Sequence, residues 1–136
     1  MVQFLFLYDD WALLALRVIL GVILIAHGWP KIKDLRATAG NFENMGFKPG
    51  IYWGSIAATV EFFGGILIIA GFLTQLVAAL VAIQLVVATW FLRFKLNKSL
   101  VGGYEFELLL IATALALVTL GGGTYSLDDF FFIFLY

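Results

Sequence analysis

The sequence predicts an all-α fold in which four transmembrane helices form one bundle and a short interfacial helix joins the first to the second. Two observations carry this. The 136 residues are 63% hydrophobic and only 12% charged, whereas soluble domains are nearer half apolar and a quarter charged. The apolar residues also gather into four runs, each near the roughly 20 residues needed to cross a bilayer core. Placed at about 11–30, 52–73, 75–94 and 104–121, these runs leave room for a single integral membrane domain and nothing more.

The rest of the composition excludes several function classes. A net charge of -1 gives no basis for nucleic-acid binding. There is no cysteine, so disulfides, thiol redox chemistry and cysteine-ligated iron–sulfur clusters are out of reach of this chain. A single histidine excludes a haem held between two histidines of one copy. No metal-ligand set and no catalytic constellation is visible. Asp9 and Asp10 stand where a cleavable signal peptide would carry basic residues, so the N-terminus is expected to be retained.

Taken in order, Tyr8 and Trp11 suit a membrane–water interface ahead of the first span. Span one closes near Gly28-Trp29-Pro30, where proline predicts a kink or a stop. Asp34 is a cap for the following short helix, Leu35, Ala39, Phe42 and Met45 recur at spacings of three and four, and Gly46 is placed to end it. This segment is expected in the headgroup region or packed on the bundle. Gly71 reads as the C-cap of span two and Thr74 as the N-cap of span three, which makes a tight antiparallel hairpin. Span four runs to the triple glycine 121–123, and Ser126-Leu127-Asp128-Asp129 resembles a capping box for one last element too short to span. Its aromatic tail, Phe130, Phe131, Phe132, Phe134 and Tyr136, is a candidate docking surface for a partner in a membrane complex or a homo-oligomer.

Lys31, Lys33, Arg36 and Lys48 lie in the first connection, and Arg93, Lys95 and Lys98 in the third. The hairpin and both terminal segments carry no Lys or Arg. By the positive-inside rule the connections 31–51 and 94–103 are cytoplasmic and both termini lie outside.

Ionisable side chains within spans are functional candidates by default. On a helix advancing about 100° per residue, Arg17, Gly21, Leu24, Gly28 and Lys31 share a stripe with His27 beside it. Small residues next to charges predict that this face looks into the bundle. The matching stripes are Ala57, Glu61 and Gly65 in span two, Gln84 and Ala88 in span three, and Glu105, Ala112 and Ala116 in span four. Glu107 points away from Glu105 and is expected at the interface. Counting about 1.5 Å per residue from the cytoplasmic ends predicts two layers, Arg17 with Glu61 at mid-depth and His27 and Lys31 with Glu105 nearer the cytoplasm. Such pairs either serve a site or only fix helix register. Lys31 taken alone is a snorkelling anchor. His27 is a proton-responsive group, a cofactor ligand or a satisfied interfacial histidine.

This constellation resembles the DoxX family of small four-helix membrane proteins. The matching pieces are Arg17 with Gly21, His27-Gly28 and Lys31, Met45-Gly46-Phe47-Lys48-Pro49, Glu61 with Gly64-Gly65 and Gly71, Gly102-Gly103-Tyr104-Glu105, and Tyr125-Ser126-Leu127-Asp128. They appear in the family's order over nearly the whole chain, with Gln75 departing from a basic residue after the threonine. The resemblance implies a bacterial or archaeal membrane protein associated with a quinone-linked or other oxidoreductase system. It implies an accessory role, since few groups here carry electrons, and adds Tyr104 to the candidates. A quinone-like molecule in the bundle would be bonded by Arg17, His27 or Glu61. A structural subunit of a larger complex and a small proton-linked carrier using Glu61 and His27 are the alternatives.

Overall fold

The computed structural model describes residues 2–134, and its core is a bundle of four long helices. A 3₁₀ segment, Val2–Tyr8, leads into α1, Asp9–Lys33. The short α2, Leu35–Asn44, lies across the base, followed by α3, Gly50–Ala70, and α4, Thr74–Trp90. A wider π-helical turn, Phe91–Lys95, prolongs α4. After an irregular turn with Gly102 at φ 74° come α5, Glu105–Leu120, and the single-turn α6, Leu127–Phe130. Four helices are long and apolar enough to cross a membrane, at Phe4–Lys33, Gly50–Ala70, Thr74–Lys95 and Leu100–Leu120.

The caps follow the local chemistry in part. Asp34 accepts the Ala37 N–H at 3.0 Å and starts α2, and Gly46, with φ 93°, sits just past its end. Gly71 adopts φ 72° and closes α3 as expected. Thr74 does not cap α4: the cap position falls on Leu73 in a left-handed conformation with no side-chain bond of its own. Pro30 does not stop the helix, and α1 continues to Lys33. Proline forfeits one intrahelical bond, while its own carbonyl accepts the Asp34 N–H.

α1 packs chiefly on α3, α4 on α5, and α2 on the first turns of α3. Small residues permit the α1–α3 approach: a Cβ on Gly28 would stand 2.5 Å from the Phe62 nitrogen, and one on Gly65 would stand 2.7 Å from the Gly21 carbonyl oxygen. With no hydrophobic gain available between helices in lipid, close packing of this kind is what holds them. Leu20, Leu24, Ile68, Val81, Ala114 and Leu117 fill the centre. The buried stripes of α1 and α3 are those the periodicity predicts, Arg17, Gly21, Leu24 and Gly28 against Ala57, Glu61 and Gly65. In α5 the buried stripe is Leu110, Ala114 and Leu117, not Glu105, Ala112 and Ala116.

Two ends of the bundle therefore differ. The loop end carries α2, the α2–α3 connection and the α4–α5 connection. The terminal end carries the chain start, the α3–α4 turn and α6.

Candidate functional site

Gly28 faces Glu61 and Phe62, and Gly21 faces Gly65 and Ile69. This antiparallel register sets which polar groups can meet. In a helix each Cα–Cβ bond tilts toward the N-terminus, so Lys31 leans into the bundle while Glu61 leans back toward the loop end. They close on each other. Lys31 Nζ donates to Glu61 Oε1 at 2.6 Å and to Oε2 at 2.5 Å. Gln84 of α4 donates from Nε2 to Glu61 Oε1 at 2.7 Å. Three helices thus converge on one carboxylate, and the side chain of Glu61 is 12% exposed against 32% for Lys31.

The expected two-layer pairing is corrected by this geometry. Arg17 does not meet Glu61; Lys31 does, and neither Lys31 nor His27 pairs with Glu105. The layers were counted from helix ends taken as level, but α3 begins alongside α2, where Gly54 faces Thr38. Glu61 is consequently level with the last turns of α1, and Arg17 lies about ten residues beyond it, about 15 Å along the axis.

Arg17 is 1% exposed and sits at the terminal end. Its Nη2 donates to the Tyr125 carbonyl at 2.7 Å, and its Nη1 lies over Gly71, where any Cβ would collide with it. Its Nε and Nη1 have no hydrogen-bond partner among the described residues. Asp128 is the carboxylate close enough to act on its charge. Asp128 is itself buried, and it accepts the Leu73 N–H at 2.6 Å and the Thr74 N–H at 2.8 Å. It supplies from a distant segment the cap that α4 lacks. Ser126 caps α6 through the Asp129 N–H, as its capping-box spacing suggests. Asp10 accepts both the N–H and the hydroxyl of Thr124, at 2.9 and 2.6 Å. Beside these groups a cavity of about 210 Å³ is lined by Asp10, Gln75, Gly122, Ser126, Asp128 and Phe134, among others.

The other candidates stand apart. His27 is exposed, with its ring 6.3 Å from that of Phe106 and no hydrogen bond to Glu61. Glu105 is exposed and accepts the Gly102 N–H at 2.9 Å, bracing its own turn. Tyr104 is half-buried in that turn. Glu107, expected at the interface, is instead half-buried on the stripe of Leu110 and Ala114, with Oε2 sealed from solvent and without a partner among the described residues. Its spacing of three from Leu110 was the available signal. The alanines at 112 and 116 masked it by imitating a small-residue interface. Asp128 was missed as a partner because the capping-box reading accounts for its position locally. Phe130, Phe131, Phe132 and Phe134 are exposed, and Tyr136 lies outside the described residues.

Chemically, the Lys31–Glu61–Gln84 cluster has capacity to spare. An ammonium has three donors, and both Lys31 side-chain bonds go to Glu61, leaving a donor on a side chain that is one-third exposed. Among the described residues no group of three His, Cys, Asp or Glu is placed to hold a metal ion.

The DoxX family profile matches residues 12–93. A Bacillus subtilis (strain 168) protein named "Putative oxidoreductase CatD" is 33% identical over 119 residues, covering 88% of this chain and 86% of that protein. "Inner membrane protein YqjF" of Escherichia coli (strain K12) is 30% identical over 131 residues, covering 88% and 92%. No solved structure matches the chain.

Proposed function

This chain belongs to the DoxX family, and on that premise we propose that it is an accessory membrane subunit of an oxidoreductase system that holds a quinone-like headgroup at Lys31, Glu61 and Gln84. The name of the Bacillus subtilis relative supports the oxidoreductase association. One observation carries the choice of site: a carboxylate held by α1 and α4 within an apolar bundle, beside an ammonium with an unused donor.

The residues present fit the headgroup. Lys31 has the free donor for a carbonyl oxygen. Glu61 is the acceptor for a hydroxyl, and Gln84 keeps Glu61 oriented while either bond is made. A bound quinone would supply two-electron, two-proton carrier chemistry. The protein's share is to bind and orient the ring, and to set a charge pair beside its oxygens. Lys31 is reachable because its side chain is one-third exposed, so the headgroup approaches laterally from the lipid, not through a central chamber. The exposed aromatics Phe130 to Phe134 at the other end are the proposed contact for the partner that carries the electron-transfer groups. A proton-linked carrier is less well supported, since His27 and Glu61 form no relay among the described residues.

In this reading the basic loop end is cytoplasmic, which reporter fusions at residue 136 test directly. The decisive experiment is purification in mild detergent, followed by mass spectrometry of every retained molecule and an absorption spectrum. A retained quinone, lost in Lys31→Met and Glu61→Gln, or a retained cofactor-bearing partner, lost when residues 130–136 are deleted, is expected. A preparation with neither quinone nor partner refutes the proposal.

A further inference from the structure

We propose that the loop end of the bundle is a binding surface for anionic phospholipid headgroups. Seven of the eight Lys and Arg lie at this end, and among the described residues the single ion pair is Lys31–Glu61. Lys33, Arg36, Lys48, Arg93, Lys95 and Lys98 are all exposed. Their freedom has a structural cause. Besides Glu61, three of the acids that share this end are bonded to the backbone: Asp34 accepts the Ala37 N–H, Glu43 the Gly50 N–H at 3.3 Å, and Glu105 the Gly102 N–H. The fourth, Glu107, is half-buried with Oε2 sealed from solvent and forms no ion pair with these cations among the described residues.

The segments bearing Lys48, Arg93 and Lys95 are also tied together. Phe42, Phe47 and Phe91 form a run of ring contacts, 5.9 and 6.1 Å between centroids. That run joins the segment bearing Lys48 to the turn bearing Arg93 and Lys95. Arg93 lies over the Phe94 ring at 5.5 Å and Lys95 over the Trp90 ring at 5.7 Å. Such cation–aromatic pairs keep the charge where a ring prefers to be, at headgroup depth. Arg93, Phe94, Lys95 and Leu96 alternate charged and apolar, and all four are exposed. A surface built for an acidic protein would not interleave its cations with lipid-seeking side chains, which is why a lipid is the favoured occupant. The terminal end has the opposite character, with Asp9, Asp10, Asp128 and Asp129 and only the buried Arg17. The molecule therefore distinguishes one leaflet from the other by charge.

The test uses the whole chain in phosphatidylcholine vesicles containing a minor share of phosphatidylglycerol, with bromine on the acyl chains of one lipid or the other. Three of the four tryptophans, Trp29, Trp53 and Trp90, lie at the loop end and report contact by quenching. Brominated phosphatidylglycerol is expected to quench beyond its bulk share, because each cation near an anionic surface raises local lipid preference about fivefold. The excess should shrink in high salt. It should shrink in the Arg93→Gln, Lys95→Gln, Lys98→Gln variant and vanish when Lys33→Gln, Arg36→Gln and Lys48→Gln are added, with helix content by circular dichroism unchanged. An excess undiminished in the triple variant overturns the assignment of these residues. Equal quenching by the two lipids overturns the proposal and leaves an acidic protein surface as the partner of the six cations.

Discussion

Replacing Asp128 with alanine should cost more stability than any other single change at the terminal end. The side chain accepts two backbone N–H groups, from Leu73 at 2.6 Å and Thr74 at 2.8 Å, and both belong to the start of a helix that has no cap of its own. A hydrogen bond to a charged acceptor contributes about 1.5–3 kcal/mol, so the pair is worth about 3–6 kcal/mol before relaxation. The cavity lined by Asp128 lets water reach part of the vacated space, which lowers that figure. Removing the carboxylate acting on the buried Arg17 raises it again. The net expectation is about 3–5 kcal/mol. Asp128→Asn keeps the shape and one acceptor but turns an amide donor toward the second N–H, so it should lose about 2–4 kcal/mol. Ser126→Ala removes only the neighbouring cap and should cost about 1 kcal/mol. Unfolding in mixed detergent–dodecyl sulfate micelles, followed by far-ultraviolet circular dichroism, measures all three. If Asp128→Ala and Asp128→Asn both fall within about 0.5 kcal/mol of the parent, the cross-chain cap is not what holds this end together.

Three further outcomes are expected from the same assay. Lys31→Met should destabilise by about 1–3 kcal/mol, less than a fully buried pair because Lys31 is one-third exposed, while adding Glu61→Gln should restore most of the loss; a cycle showing no coupling would remove the pair. Gly65→Ala should cost at least about 1–3 kcal/mol, since its Cβ would stand 2.7 Å from the Gly21 carbonyl oxygen, whereas Gly40→Ala, with nothing within 4 Å, should stabilise α2 by about 0.5–1 kcal/mol; equal effects would refute the close α1–α3 approach. Thr74→Val removes a fully buried hydroxyl that has no partner among the described residues, so it should be neutral or stabilise by about 1 kcal/mol; a loss above about 1 kcal/mol would mean the hydroxyl is bonded.

The helices and the inward faces of α1 and α3 were legible because glycine and charge mark them together. Gly21 and Gly28 flank the buried positions of α1, Gly64 and Gly65 those of α3, and an arginine or glutamate within such a run has nowhere else to face. In α5 the same cue misled. It packs on α4 with Leu110 and Leu117, and leucine on an apolar helix carries no directional information because lipid and core accept it equally. The partners of the charges were illegible for a different reason. Periodicity fixes angle around a helix but not the relative height of two helices. That height is set by α2, which lifts the start of α3 against Thr38 and Ala39.

The corrected register changes what each charge does. Arg17 has the burial of a functional residue, yet its one hydrogen bond among the described residues is to the Tyr125 carbonyl and its Nη1 lies over Gly71, both in segments that fasten the chain end to the α3–α4 turn. Asp10, Ser126 and Asp128 are likewise spent on the backbone of Thr124, Asp129, Leu73 and Thr74. A group whose bonds close the fold cannot release them to a ligand without loosening it. Among the described residues, the side chains of Lys31, Glu61 and Gln84 bond only to one another. Rotamer changes alone can open that cluster and leave every helix capped. The terminal end therefore locks the fold, and the side-chain cluster where α1, α3 and α4 meet near the loop end is the one we propose to exchange bonds with a small molecule.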